Sequence, residues 1–455
     1  MPERRPFRLR PDPSLLTGPW SVAALLGSAC LAAGLIAGRA DVVVTGIPLI
    51  LAAVAALASP RRPDAPVTAD NDAAVRDGQF YQVPLHVDAD GGLVAIAVTG
   101  SGPTPRSYLL DASQRDLQLT IELPLSGRRD IYALSWASIS ADAARIGQLG
   151  AAPSVPYTVL PSIDRLDILP LPPRLSGLTG DHSSRNPGDG GDLRDVHPFR
   201  PGDARRRIDW RATARLSPDQ SDLYVRRTHT TSEATVMLVV DARSDLSSEA
   251  ATWYGGQPPT PLTYSSLHLS RQGATLLAAS YLHRGDRVGV MELAGYRRGL
   301  RAAAGRRQLE LIRLRLSSLR VDQHLDKPRQ DPVLPADCLV MMLSPFMNDD
   351  GERLLLKWHR LGHSVIGIDT LPRLNTTGLS KTEGLALRME LMARKDRIER
   401  VRQRGLPVFG FRGPEDAASE TDPDAVAGVL PLAAGLRMMQ RTAAHRRTTA
   451  GRSTS

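Results

Sequence analysis

Two clusters of side chains could do chemistry in this sequence. The first is Asp241-Ala242-Arg243-Ser244-Asp245, which begins at the end of the hydrophobic run VMLVVD (Val236 to Asp241). Asp241, Ser244 and Asp245 offer carboxylate and hydroxyl oxygens, the donors that a hard divalent cation such as Mg2+ prefers. Arg243 stands among them, and a guanidinium competes with a cation for the same carboxylates. Two readings stay open: a metal site on Asp241, Ser244 and Asp245 with Asp286 or Asp369 as distant contributors, or Asp241 bonded to Arg243 or to a loop amide. The second cluster is DVHPFRPGDARRRIDWRATARLSPDQSDLYVRR, Asp195 to Arg227. Arg206, Arg211 and Arg215 in it are rigid planar donors suited to bidentate capture of a carboxylate or phosphate. They form either an internal network with Asp195, Asp203, Asp209 and Asp222, or a contact surface for an acidic partner.

The elements that must position these clusters follow from local pattern. Gly202-Asp203 predicts a turn and a helix N-cap, because the Asp side chain accepts from the unpaired amides of a first turn. Ala204, Ile208, Ala212 and Leu216 then recur every fourth residue as an apolar stripe, Asp203 and Arg207 stand four apart and can pair, and Trp210 is expected to anchor the helix by packing. After VMLVVD, strands alternate with helices, which predicts a parallel sheet with helices on both faces. The strands are DRVGVMEL (Asp286 to Leu293), DCLVMML (Asp337 to Leu343), SVIGID (Ser364 to Asp369) and LPVFGF (Leu406 to Phe411). Helices are expected over 265–283, 306–319, 353–361, 379–404 and, broken near Pro431, 424–445. In an open parallel sheet ligands bind at the carboxyl ends of the strands, which makes Asp241 the favoured position.

Other reactive patterns are weak. The chain has no G-x-S-x-G elbow, no H-E-x-x-H and no G-x-x-x-x-G-K-[ST] phosphate loop. His359 and His363 are four apart, but Gly362 between them marks a helix end, so they read as surface or capping residues. Cys30 and Cys338 form neither a disulfide framework nor a zinc set.

Gly202-Asp203, Arg206, Ile208, Trp210 and Ala214-Arg215 spell GD-x-x-R-x-I-x-W-x-x-x-AR. This resembles the signature of the domain-of-unknown-function-58 family. The resemblance implies a membrane-anchored bacterial inner-membrane protein with a von Willebrand factor A-like domain, and a MoxR-type AAA+ ATPase as partner in assembly or maturation of envelope proteins. It also makes Gly202, Asp203, Arg206, Arg207, Ile208, Asp209, Trp210, Ala214 and Arg215 the signature and interaction residues. The von Willebrand A fold holds its metal on D-x-S-x-S, whereas Arg243 and Asp245 stand here at the two serine positions. The reading is therefore an adaptor of uncharacterised activity, not an enzyme, with no resident cofactor. A metal-dependent hydrolase at Asp241 and a purely structural envelope scaffold are the alternatives.

The chain of 455 residues divides into several expected domains. Residues 1–19 are basic, with Arg4, Arg5, Arg8 and Arg10. Residues 20–59 read as a transmembrane hairpin (20–38 and 42–59), two uncharged runs each near the length that crosses a bilayer. Pro60, Arg61 and Arg62 follow, so basic residues flank both outer ends and place both termini and the soluble domains in the cytoplasm by the positive-inside rule. The two charge-separated runs argue against a cleaved signal peptide. A linker over 60–77 leads to a small antiparallel β-sandwich over 78–175, expected from alternating strands separated by turn signals. A mobile loop with the signature fills 176–231, the α/β domain 232–445, and a disordered tail 446–455. Net charge is +9, but the only lysines are Lys327, Lys357, Lys381 and Lys395, and the arginines are scattered among acids. No aromatic-interleaved basic patch appears, which argues against nucleic acid as a partner.

Overall fold

The longest uncharged run forms helix α1, Gly18–Ala37, and the next forms α2, Ala40–Ala58, with Pro48 inside it. In this computed structural model the described residues are 15–441 except 17, 59–66, 78–79, 89–91, 101–105, 112–114, 124, 141–144, 172–181, 218–221, 256–262, 294–298, 322–330 and 414–428. Arg4, Arg5, Arg8, Arg10, Arg61, Arg62, the first part of the expected linker and the tail over 446–455 lie outside them. Among the described residues α1 is long and apolar enough to cross a membrane, while Ala40–Ala55 makes a shorter apolar helix. The two helices touch through glycine. A Cβ on Gly34 would stand 2.6 Å from a Val43 methyl, and one on Gly46 would stand 2.9 Å from the Gly27 carbonyl.

The chain forms two compact units, one holding residues 1–124, 128–157 and 260–262, the other 125–127, 158–259 and 263–455. Beyond the helices, the described residues of the first unit include two larger antiparallel sheets. In one, Leu93–Gly100 pairs with Arg106–Asp111 and with Tyr132–Ile139; in the other, Phe80–Val87 pairs with Asp116–Glu122 on one edge and with Val67–Ala69 and Val75–Asp77 on the other. Alternation explains their cores. Tyr81, Val83, Leu85 and Val87 point inward from one strand and Val94, Ile96 and Val98 from another, as a period of two requires. The Tyr132 hydroxyl donates to Asn71 Oδ1 (2.5 Å), and burial, reinforced by Tyr81, pushes its pKa up to about 12 against that bond.

The second unit opens with an antiparallel arm, β1 (His182–Pro198) on β2 (Tyr224–Ser232). Much of β1 falls where a loop was expected from its Gly, Asp and Ser content. Ladder bonds use only backbone, so such a sequence can pair, and here it does so with register shifts between Ser183 and Pro187, Gly188 and Leu193, and Leu193 and Asp195. The remaining strands are β3 (Thr235–Val240), β4 (Arg287–Glu292), β5 (Leu300–Ala303), β6 (Leu339–Ser344), β7 (Ser364–Asp369), β8 (Val408–Gly410) and β9 (Leu430–Pro431). They form one mixed, mostly parallel sheet in the order β5-β4-β3-β6-β7-β8-β9, with β5 antiparallel.

Side chains alternate across this sheet. Val236, Leu238 and Val240 face α4 (Ser266–His283) and α5 (Arg306–Ser317), in a core with Leu277, Ile312, Leu343 and Ile368. Met237 and Val239 face α6 (Asp349–Arg360) and α7 (Lys381–Gln403), in a core with Leu355, Trp358, Ile398 and Val401. Strands buried on both faces need apolar residues throughout, which is why VMLVV and LVMML carry no polar position. Helix α4 is buried almost entire and still holds Arg271, whose guanidinium donates to the carbonyls of Leu316, Leu319 and Ser126 (2.7–3.1 Å), joining the last turn of α5 to residues 125–127.

Candidate functional site

The signature segment lies between the two strands of the arm. Gly202, at φ +103°, opens a turn in which the Asp203 amide donates to the Arg200 carbonyl (3.0 Å). The helix expected to start at Asp203 does not. Residues Arg205–Arg207 make one 3-10 turn, Ile208 bridges to Val225, and helix α3 runs over Trp210–Leu216. Asp209 is its N-cap, accepting from the amides of Arg211 (3.1 Å) and Ala212 (2.9 Å), while Asp203 accepts from the Arg200 amide (2.9 Å) and stands 3.7 Å from His197. The extended Ile208 dihedrals separate the two pieces and break the predicted stripe.

What fastens the segment is polar and backbone bonding. The Asp209 amide donates to the Tyr224 carbonyl (2.8 Å), and the buried Thr213 hydroxyl accepts from the Tyr224 amide (3.0 Å). Trp210, expected as the packing anchor, is 68% exposed. Arg211, Ala214 and Arg215 are exposed too, and helical spacing puts all four on one face.

The second cluster sits at the carboxyl edge of the sheet. The chain runs outward from β3 through β4 to β5, then returns to place β6 on the other side of β3, so the switch point falls between β3 and β6. Asp241 follows β3 and Ser344 ends β6. Asp241 is buried, and Arg243 grips it through Nε to Oδ1 and Nη2 to Oδ2, both 2.8 Å, while Ser344 Oγ donates to Oδ2 (2.8 Å). The other guanidinium edge donates to Asp350 Oδ2 (2.7 Å) and Asn348 Oδ1 (3.1 Å), in the first turn of α6 and at its N-cap. Burial opposes the charge on Arg243, but the Asp241 bonds and the Asp241 and Asp350 charges outweigh it and hold the guanidinium above its ordinary pKa. Beside this, Phe346 takes φ +55°, a left-handed conformation that strains a bulky residue; its amide donates to Ser344 Oγ (3.1 Å).

Two strands along, Asp369 ends β7 fully buried between two arginines. Arg394 of α7 pairs with Oδ1 and Arg412 Nη2 with Oδ2 (2.7 Å), and Arg394 Nε donates to the Pro345 carbonyl (2.7 Å). Burial alone would raise the Asp369 carboxyl, and the two guanidinium groups reverse this, holding it below the usual carboxylate range. Arg394 Nη1 has no partner among the described residues.

Residues 195–375 match the family model described as protein of unknown function DUF58. The chain carries a DUF58 domain. No curated protein and no solved structure matches the chain.

Within the DUF58 domain the expected cation ligands part company. Asp241 is held by Arg243 and Ser344, Asp245 accepts from the Leu267 amide at the start of α4 (3.0 Å), and Ser344 supplies the hydroxyl at Asp241. Among the described residues no group of three or more His, Cys, Asp or Glu is placed to hold a metal ion. Asp286 lies at the opposite, amino end of the sheet, where it accepts from the Ala234 amide (2.8 Å), so it is no contributor at Asp241. As the side chains stand, a guanidinium takes the place from which a cation would have to draw on Asp241.

Sequence reasoning missed Ser344, Asn348 and Asp350, because strand and cap residues far along the chain converge only through sheet order. Arg394 did leave a signal. Leu387, Ile398 and Val401 fall on the buried side of α7, and Arg394 occupies the same side at helical spacing.

Proposed function

We propose that this protein is a membrane-anchored adaptor whose DUF58 domain, built on a von Willebrand factor A-like plan, engages a protein partner through the outer face of α3. The observation that carries the reading is the exposure of Trp210 beside Arg211 and Arg215. Trp and Arg are the residues most enriched where partners contribute binding energy, and this face is not spent on holding α3 to the arm. The sheet order, with its switch point beside Asp241, supports the von Willebrand A-like plan. The family resemblance suggests a MoxR-type AAA+ ATPase as the partner and envelope-protein assembly or maturation as the process. Co-purification from solubilised membranes tests this. Wild type is expected to retain the ATPase, and Trp210→Ala to lose it at an unchanged melting temperature; repeated absence of an ATPase from the wild-type preparation would leave the scaffold reading in its place.

In this reading α1 and α2 cross the bilayer as a hairpin in the bacterial inner membrane, with both termini and both soluble units in the cytoplasm. The arginines on both outer flanks, Arg4 to Arg10 and Arg61 with Arg62, support that orientation. A reporter active only outside the membrane, fused after Ser455, is expected to stay silent, and a strong signal would reverse the topology.

A further inference from the structure

Helix α7 has a second face that the fold does not use. Ser380 and Glu383 start it with a capping box, and its inner side buries Leu387, Arg394, Ile398 and Val401. On the opposite side Leu385, Met389 and Met392 are 55%, 64% and 68% exposed. Their spacing of four and three is that of a coiled-coil seam, where apolar knobs enter a facing helix. A solvated face of a globular helix carries polar residues at such positions. Along one flank of this seam run Lys381, Arg388 and Lys395, each seven residues from the next, exposed and without an ion pair among the described residues. Along the other flank are Ala386 and Ala393, small enough to admit a close neighbour. Asp396 occupies the next seam position, so the apolar run from Leu385 to Met392 spans about two turns.

We propose that this face of α7 docks an amphipathic helix of another protein, one with an apolar stripe and acidic residues along the side that meets Lys381, Arg388 and Lys395. Charge decides the occupant. In a coiled coil the residues flanking the seam choose partner and orientation. A second copy of this chain running antiparallel would set the basic rows against each other; running parallel, it would set each row against Ala386 and Ala393 and leave it without counter-charge. An acidic flank satisfies the row in full, and the two methionines suit a seam that adapts to its partner's shape. The inference does not rest on the α3 reading, since it concerns residues beyond the 195–375 match.

The test uses the full chain in lipid nanodiscs and two fluorescent synthetic helices about three heptads long, with Leu at the seam and either Glu or Lys at every flanking position. Anisotropy is expected to show the Glu peptide bound and the Lys peptide weaker by about tenfold or more. Met389→Asp with Met392→Asp is expected to abolish binding at an unchanged melting temperature, and Lys381→Glu with Arg388→Glu and Lys395→Glu to reverse the peptide preference. Equal binding of both peptides, or binding of neither, overturns the proposal. A melting temperature that drops in the double variant would mean that the face is packed within the chain. A particle mass of two chains, reduced to one by Met389→Asp, would mean that a second copy is the occupant.

Discussion

Asp369→Asn is expected to cost the DUF58 domain about 3 to 5 kcal/mol, because it leaves buried guanidinium groups without their carboxylate. Domain stabilities are typically about 5 to 15 kcal/mol, so thermal denaturation of the solubilised chain should show a large shift. The cluster holds two cations and one anion, which predicts an asymmetry. Arg394→Met removes a fully buried charge whose Nη1 lacks a partner among the described residues, leaves Asp369 with Arg412, and takes a donor from the Pro345 carbonyl. It should cost only about 1 to 3 kcal/mol. Equal losses for the two variants would mean that the cluster does not act through charge balance. The pH dependence has a definite sign. The folded carboxyl of Asp369 lies below its unfolded value of about 3.9, so its contribution is full above that value and is lost as pH falls toward the folded one. Wild type should therefore lose stability on the acid side, and Asp369→Asn should show a flatter acid limb.

Much of this arrangement is legible in the sequence alone, and the parts that are not share a cause. Runs such as VMLVVD and SVIGID contain β3 and β7, and they stand out from their surroundings because the interior positions of strands buried on both faces are apolar. Arg243 was readable as a rival for the Asp241 carboxylate because both lie in one short loop. Ser344, Asn348 and Asp350 were not, since nothing local records that β6 lies beside β3. The signature failed differently. An every-fourth-residue stripe suggested one helix from Asp203, yet Ile208 turned extended to bridge Val225, and the cap moved to Asp209. The gain of a strand-like bridge outweighed a helix propensity that was weak over so few residues. Trp210 was then carried to the exposed face by the new start of α3, so it does not anchor the helix by packing.

The Arg243 cluster leads to the last expected result. Arg243→Ser removes a guanidinium that donates to Asp241, Asp350 and Asn348, and it leaves two carboxylates facing the space it vacates. Side-chain exposure of 17% for Arg243 and 28% for Asp350 lets water take up part of the loss, so the cost should be about 2 to 3 kcal/mol, below that of a fully buried pair. The same substitution adds a hydroxyl beside Asp241 and Ser344, an oxygen set of the kind that hard cations prefer. Magnesium is therefore expected to leave the melting temperature of wild type unchanged and to raise that of Arg243→Ser, by about 2.7 kcal/mol of stability at a hundredfold excess over Kd. Arg243→Lys keeps a positive charge but loses the two-pronged grip on Asp241, so it should be destabilised without gaining the response to magnesium. Heat and a melting shift when wild type itself is titrated with magnesium would show that the guanidinium yields its place, and would return Asp241 to the metal reading.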